Sequence, residues 1–375
     1  MDEEQAGFRQ GRGTVDQIFV IRQLSEKYIE RNRTLYNNFI DYKQAFDSVW
    51  QEGLWRTMRH CGVPEKLVVL VEDIYGKSKS AVRVDGELTE WFGIKVGVRQ
   101  GCGMSPDLFN LILEIVMRLA KEGNETGISL NGRPLSNLRF ADDIDLLADT
   151  REKLQDLTNR VDRTSRRMGL KINVAKTKTM MIGKQHEDLR VTMGGETLEQ
   201  VTKFVYLGGM MTEDGRCEED IKRRIGLACA AFGGLNKMWK AKSLSIRTKM
   251  KLYYALVEPV LLYGSECWCL RKEDERRLLV AEMGWLRRII GRSRRDKIRN
   301  EQTRKYLEAE ETVVERIRRR RLRWYGHVRR MEGGRLPNAA LHASTDMWKD
   351  RGVGKGNGRP GWTTSSRTYG REAQT

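Results

Sequence analysis

The chain has 375 residues, 39% of them hydrophobic and 32% charged, with 69 Lys+Arg against 51 Asp+Glu and a formal net charge of +18. That apolar fraction excludes a wholly disordered chain and is enough for two domains, or for one domain with a substantial appendage. No run of about 18 apolar residues occurs, and the polar, acidic start "MDEEQAGFRQGRG" does not read as a secretory leader. The expectation is a soluble intracellular protein, nuclear or cytoplasmic, not secreted and with no membrane partner. The basic excess is local: residues 216–330 hold 31 Lys+Arg against 15 Asp+Glu, so +16 of the +18 lies in one segment and points to a polyanionic partner. Six scattered cysteines without a CxxC pair fit a reducing compartment better than a disulfide framework or a zinc module.

In chain order, the first half alternates strand and helix signals. "LYNNFIDY" (35–42) is a short β-like run ending at Asp41, and the helix-compatible "KQAFDSVWQEGLWRTMRH" follows it. A helix over about 64–76 opens at Pro64, and "SAVRVDGELTEWFGIKV" predicts a hairpin turning at Asp85-Gly86. "GVRQGCGMSPDLFNLILEIVMRLAKEG" predicts a glycine-rich loop running into an amphipathic helix started by Ser105 and Pro106. "NLRFADDIDLLAD" reads as two apolar runs joined at a hairpin tip that carries Asp142 and Asp143. A helix over 151–168 ends at Gly169, "LKINVAKTKTMMIG" resumes extended character, and "VTKFVYLGGMM" is a short strand ending in glycines. After Asp214-Gly215 the strands cease. Helices are predicted over about 217–240, 245–258, 272–291 and 303–331, each with an apolar stripe and arginines on its other faces. From about 333 the chain is rich in Gly and Ser, which predicts a disordered tail.

Asp41 at a strand end and Asp142 and Asp143 at a hairpin tip could meet on one sheet. Carboxylates that close raise one another's pKa unless a cation compensates, so the arrangement calls for a metal ion or a proton. Two divalent cations about 3.5–4 Å apart are a standard device for in-line phosphoryl transfer, and hard oxygen ligands favour magnesium. The bland alternative is a pair of turn aspartates, a common use of that residue.

Taken in order, "FIDYKQAFDSVW", "GVRQGCGMSPDLFNLIL", "FADDIDLLAD", "GLKINVAKTKTM" and "VYLGG" resemble the successive palm motifs of reverse transcriptases, most closely those of non-LTR (LINE-like) retrotransposons. "QAGFRQGRGTVDQIF" is similar to the block preceding the first catalytic motif. "LYGSECWCL" and "RRLRWYGHVRRM" resemble, more weakly, the region after the palm. The resemblance implies an α+β right-hand polymerase palm, an antiparallel sheet packed on helices, with partial fingers over 1–212. A basic, all-α thumb-like bundle would occupy 213–332, and a disordered tail 333–375.

The implied activity is that of an RNA-directed DNA polymerase working on an RNA template, a DNA primer and dNTPs. The resemblance assigns Asp41, Asp142 and Asp143 to two Mg2+ ions, with Mn2+ as a substitute and the Tyr42 carbonyl as a further ligand. It assigns Phe46 to excluding a ribose 2′-hydroxyl, Gln100 and Gly101 to the loop against template and incoming nucleotide, and Lys176 to the departing pyrophosphate. Tyr206, Leu207 and Gly208 would grip the primer end. Arg318, Arg319, Arg320 and Arg323 would bind nucleic-acid phosphates, with a nuclear address as the other reading of that run. Gly103 and Met104 depart from the proline and leucine usual in the family, and the family's N-terminal fingers strands would precede Met1. An inactive remnant that only binds nucleic acid is therefore the alternative to the enzyme.

Overall fold

The structure, a computed structural model, describes residues 1–123, 127–183 and 188–343. They fall into two compact units: Met1–Gln17 with Thr34–Thr202, and Ile18–Arg33 with Lys203–His342. The division differs from the boundary expected at 212, because the hairpin at 203–212 and most of the helix Thr14–Glu30 group with the helical segment.

The first unit is built on a five-stranded sheet in the order Glu199–Gln200, Lys178–Ile182, Leu35–Ile40, Asp143–Ala148, Asn137–Phe140. All neighbours run antiparallel except the short edge pair of Lys178 and Thr179 with Glu199 and Gln200, which is parallel. The α+β palm expected from sequence is thus the architecture observed, with that one parallel edge added. Alternation sets the register: Ile144, Leu146 and Ala148 share a face and bury it with Ile112, Leu113, Val116, Leu157 and Val161 of the helices Ser105–Lys121 and Arg151–Arg167. Each such aliphatic side chain contributes about 1.5–3 kcal/mol on burial. The central strand also buries two asparagines, and the Asn38 amide donates to the Thr158 hydroxyl at 2.9 Å. Thr150 caps the helix Arg151–Arg167 by accepting from the Lys153 N–H at 3.3 Å.

The turn predicted at Asp85-Gly86 forms as expected. Asp85 and Gly86, with φ of 51° and 94°, close the hairpin in which Arg83 pairs with Leu88 and Val84 with Glu87. The region after Asp41 is not one helix: a 3-10 turn at Phe46–Ser48 precedes the helix Gln51–His60.

The second unit is helical apart from one hairpin. Asp220, buried in the first turn of the helix Glu218–Gly234, gathers three donors: Arg22 at 3.2 Å, the Trp268 indole N–H at 2.9 Å and the Met210 N–H at 3.0 Å. The helix expected over 245–258 is broken instead, as Ile246–Leu252, a π turn at Tyr253–Val257 and Glu258–Leu262, next to Pro259, which has no N–H to continue the ladder. The helix expected over 303–331 is likewise two, Asn300–Tyr306 and Val313–Arg329. Thr312 and Glu315 form a reciprocal cap that starts the second. Its Arg316 is buried between Glu282 at 2.5 Å and Glu258 at 2.8 Å. The segment from 333 does not begin irregular: Leu336–His342 is a helix with Pro337, Asn338 and Ala340 buried, and Asn338 donates to the Val328 carbonyl at 2.9 Å, which is where the expected disorder fails. Residues 344–375 of that expected tail lie outside those described.

Candidate active site

Asp41 stands one residue past the central strand. Its N–H donates to the Thr177 hydroxyl at 3.3 Å and its carbonyl accepts from the Asn173 N–H at 2.7 Å, so the backbone here is held by the turn that carries Lys176. Ile40 pairs with Ile144 and Phe140 with Asp143, so Asp41 lies one step beyond the strand pairing, at the same end of the sheet as the acidic tip. Asp143 opens its strand, and Ala141 and Asp142 form the turn.

Electrostatics tie the three together. The Asp142 carboxyl is raised by burial and by the charge of Asp41, and Asp143 is pushed up to about 6 by burial and then by Asp142 and Asp41. Among the described residues none of the three makes an ion pair with a lysine or arginine. Nor do any three His, Cys, Asp or Glu converge there as a ready-made metal shell. An acidic group with no cationic partner suits a divalent ion that takes part of its coordination from outside the protein.

Tyr42 is buried, its hydroxyl 2.7 Å from that of Ser165 and pushed up to about 12 by burial, so its side chain is structural and only its carbonyl is available to a ligand. Phe46 is half-buried and stacks on Phe109 with ring centroids 4.6 Å apart, and its carbonyl accepts from the Val98 N–H at 2.7 Å. Gln100 donates to Asp47 at 3.0 Å, and Gly101 takes φ 79°. The Phe46 loop and the Gln100 loop are therefore one bonded surface. Lys176 is exposed, in a turn rather than on a strand.

In the second unit Lys203–Tyr206 and Gly209–Thr212 pair as a hairpin, where a single strand was expected. Leu207 and Gly208 form its tip with φ of 47° and 79°. Three side chains hold that tip: the Tyr263 hydroxyl donates to the Leu207 carbonyl at 2.9 Å, and Arg223, at 3.1 Å, and Arg224 both donate to that of Gly208. The Arg224 guanidinium lies 4.3 Å from the Tyr263 ring centroid. Of the four arginines assigned to phosphates, Arg318, Arg319 and Arg320 are paired with Glu275, Glu311 and Glu266 at 2.6–2.7 Å. Arg323 is exposed and has no ion pair among the described residues. Trp324 packs edge-on against Phe19 at 5.8 Å. Sequence reasoning missed Tyr263, Arg224 and Asp220, although "LYGSECW" carried the first of them.

A sheet whose strand end and hairpin tip bear carboxylates without an ion pair among the described residues, backed by two helices and followed by a basic helical unit, defines a nucleotidyl-polymerase palm. A family model described as reverse transcriptase (RNA-dependent DNA polymerase) matches residues 1–211, and the chain belongs to that family. It is similar to a transposon-derived protein of Caenorhabditis elegans, 29% identical over 64% of this chain and 86% of that protein. It is also similar to the retrovirus-related Pol polyprotein of the type-1 retrotransposable element R2 of Nasonia vitripennis, 27% identical over 56% of this chain and 21% of the polyprotein. The RNA-directed DNA polymerase of the mobile element jockey of Drosophila funebris is 25% identical over 76% of this chain and 32% of its own length. The chain thus spans about a fifth to a third of those two relatives. Among solved structures, apo telomerase from Candida tropicalis aligns at 12% identity and a TM-score of 0.41, over 90% of this chain and 57% of that one. Among the described residues no helix is long and apolar enough to cross a membrane.

Proposed function

We propose that the chain is the polymerase region of a non-LTR retrotransposon reverse transcriptase, extending a DNA primer on an RNA template. The primer 3′-oxygen forms a bond to the α-phosphorus of a dNTP, the bond to the β-phosphate oxygen breaks, and pyrophosphate leaves. The observation that carries this reading is the set of three carboxylates, coupled through their charges and with no ion pair to Lys or Arg among the described residues, at one end of the sheet. Asp41 and Asp142 would hold the ions, with Asp143 in support, and magnesium is the cation their oxygen ligands favour. When bound, such ions supply charge neutralisation on the phosphate oxygens.

The chain's own residues supply the rest. Phe46, braced by Phe109, narrows the space for a ribose 2′-hydroxyl, and Gln100 and Gly101 present a loop to template and nucleotide. Lys176, exposed in the turn bonded to Asp41, is suited to neutralise the leaving pyrophosphate. Tyr206, Leu207 and Gly208 are suited to the primer end, and Arg323 to a phosphate. Primer extension on an RNA template by the full chain, with Asp142→Asn as control, tests the reading. Template-dependent dNTP incorporation abolished by the substitution is expected. Equal incorporation by both proteins refutes the enzyme, and salt-sensitive nucleic-acid binding without incorporation would leave only a binding remnant.

A further inference from the structure

The block "QAGF" near the start of the chain has no part in the chemistry above, yet its Gln5 is fully buried and ends on the turn that carries Asp142. The Gln5 Oε1 accepts from the Ala141 N–H at 3.0 Å and from the Gly7 N–H at 2.8 Å, while its Nε2 donates to the Ala141 carbonyl at 3.4 Å. Around it the backbone runs parallel to the hairpin strand: the Arg139 N–H donates to Glu4 at 2.8 Å and the Ala6 N–H to Arg139 at 2.9 Å. Gly7 closes over the same peptide so tightly that a Cβ there would lie 2.2 Å from the Ala141 nitrogen, and its carbonyl is held by Asn110 at 2.9 Å.

The turn needs such support. Ala141 holds φ 58°, a region that residues with a Cβ enter only at a cost and that glycine enters freely. Released, Ala141 would relax toward negative φ and swing the residue after it, Asp142, away from its place. We propose that Gln5 and Gly7 are positioning residues, a two-sided clamp that holds the Ala141 peptide left-handed and thereby fixes where the Asp142 carboxylate points. The proposal rests on the polymerase reading for its consequence, but the clamp itself can be measured apart from activity.

The experiment uses the full chain with Gln5→Met, which keeps the side chain's length and removes its acceptor. In amide hydrogen exchange, protection of the Ala141 and Gly7 N–H groups is expected to fall at least tenfold relative to Leu138 and Ile144. In primer extension, kcat is expected to fall tenfold or more, with KM for primer-template and for dNTP within about twofold and a higher half-saturating Mg2+ concentration. Ala141→Gly in the Q5M background is expected to restore most of kcat, because glycine takes the left-handed turn unaided; loss of a merely structural residue would not be rescued there. Should Q5M fail to fold, Gln5→Asn, which keeps the amide but draws it back from Ala141 by one methylene, is read the same way, and unchanged protection of the Ala141 N–H in folded Q5N overturns the proposal. Unchanged exchange at Ala141, or lost protection with unchanged kcat, also overturns it. If the wild-type chain extends no primer, the polymerase reading and with it the catalytic consequence fail, while the exchange result still decides the clamp.

Discussion

The acidic tip predicts a competition between protons and cations that can be measured without turnover. Asp143 is pushed up to about 6, first by burial and then by the charges of Asp142 and Asp41. A carboxyl of that pKa is about nine-tenths ionised at pH 7 and about one-tenth at pH 5, so a cation that needs it ionised should bind about tenfold more weakly at the lower pH, about 1.4 kcal/mol. A carboxyl at the ordinary 3.8 would stay more than about nine-tenths ionised at both and give no change. The same shift acts on folding. A raised folded-state pKa contributes stability that is fully present below 3.8 and is lost as pH rises through about 6. Because the group is more than a third open to solvent, solvent screening holds the loss to about 1–2 kcal/mol. Calorimetric titration of Mg2+ or Mn2+ at pH 5, 6 and 7, on the native chain and on Asp143→Asn, checks the first point, and urea melts of both proteins across the same pH range check the second. Equal affinity at pH 5 and 7, or an equally steep fall in D143N, refutes the reasoning.

Other expectations follow from single contacts. Tyr263→Phe removes the donor to the Leu207 carbonyl, a bond worth about 1 kcal/mol, so KM for primer-template should rise about fivefold with KM for dNTP unchanged; steady-state kinetics with each varied in turn decides it. Phe46→Val opens the space beside Phe109 and should raise ribonucleotide incorporation relative to deoxynucleotide by tenfold or more, read by competitive extension with both present. Arg323→Ala should weaken binding to a primer-template duplex at low salt and reduce the slope of log K against log salt by about 1, whereas Arg318→Ala, already engaged with Glu275, should change that slope less. Asp145 is buried on its strand, neither oxygen hydrogen-bonded among the described residues, and its carboxyl is held well above the usual range by desolvation. Above 3.8 and below that raised pKa only the folded state keeps the proton, so stability should fall as pH rises from about 4, and Asp145→Asn should abolish that part of the slope in urea melts.

Much of the first unit was legible because period-2 and period-3.6 patterns are written in residues whose neighbours in sequence share their environment. The run to Asp41, the helix from Ser105 and Pro106, the helix over 151–168 and the Asp85-Gly86 turn all obey local rules. The acidic pair stood out for the same reason, as charge inside an apolar alternation. What was not legible depends on partners far along the chain. Nothing near Arg318, Arg319 or Arg320 announces that Glu275, Glu311 and Glu266 will occupy them, so a basic run overstates the charge open to a ligand. The break between Tyr306 and Val313 falls in a helix-compatible run, although the cap from Thr312 to Glu315 marked it.

The positions where local rules fail outright are instructive. Glycine is what sequence grammar expects wherever φ is positive, and the hairpin tips at Asp85-Gly86 and Leu207-Gly208 each use one. Ala141 and Leu207, at 58° and 47°, are two of the nine non-glycine residues that turn left-handed among those described, and they lie in the two turns proposed for metal and primer. In each, the peptide carries hydrogen bonds from side chains more than fifty residues away, Gln5 in one and Tyr263 in the other. A residue with a Cβ loses fewer conformations on folding than glycine, so once distant bonds hold the strained angle it makes the stiffer tip. Ala141→Gly alone should therefore leave kcat near its native value but speed exchange of the Asp142 amide, since the clamp would then hold a looser turn. Slower or unchanged exchange there would mean that rigidity comes from the strands and owes nothing to the alanine.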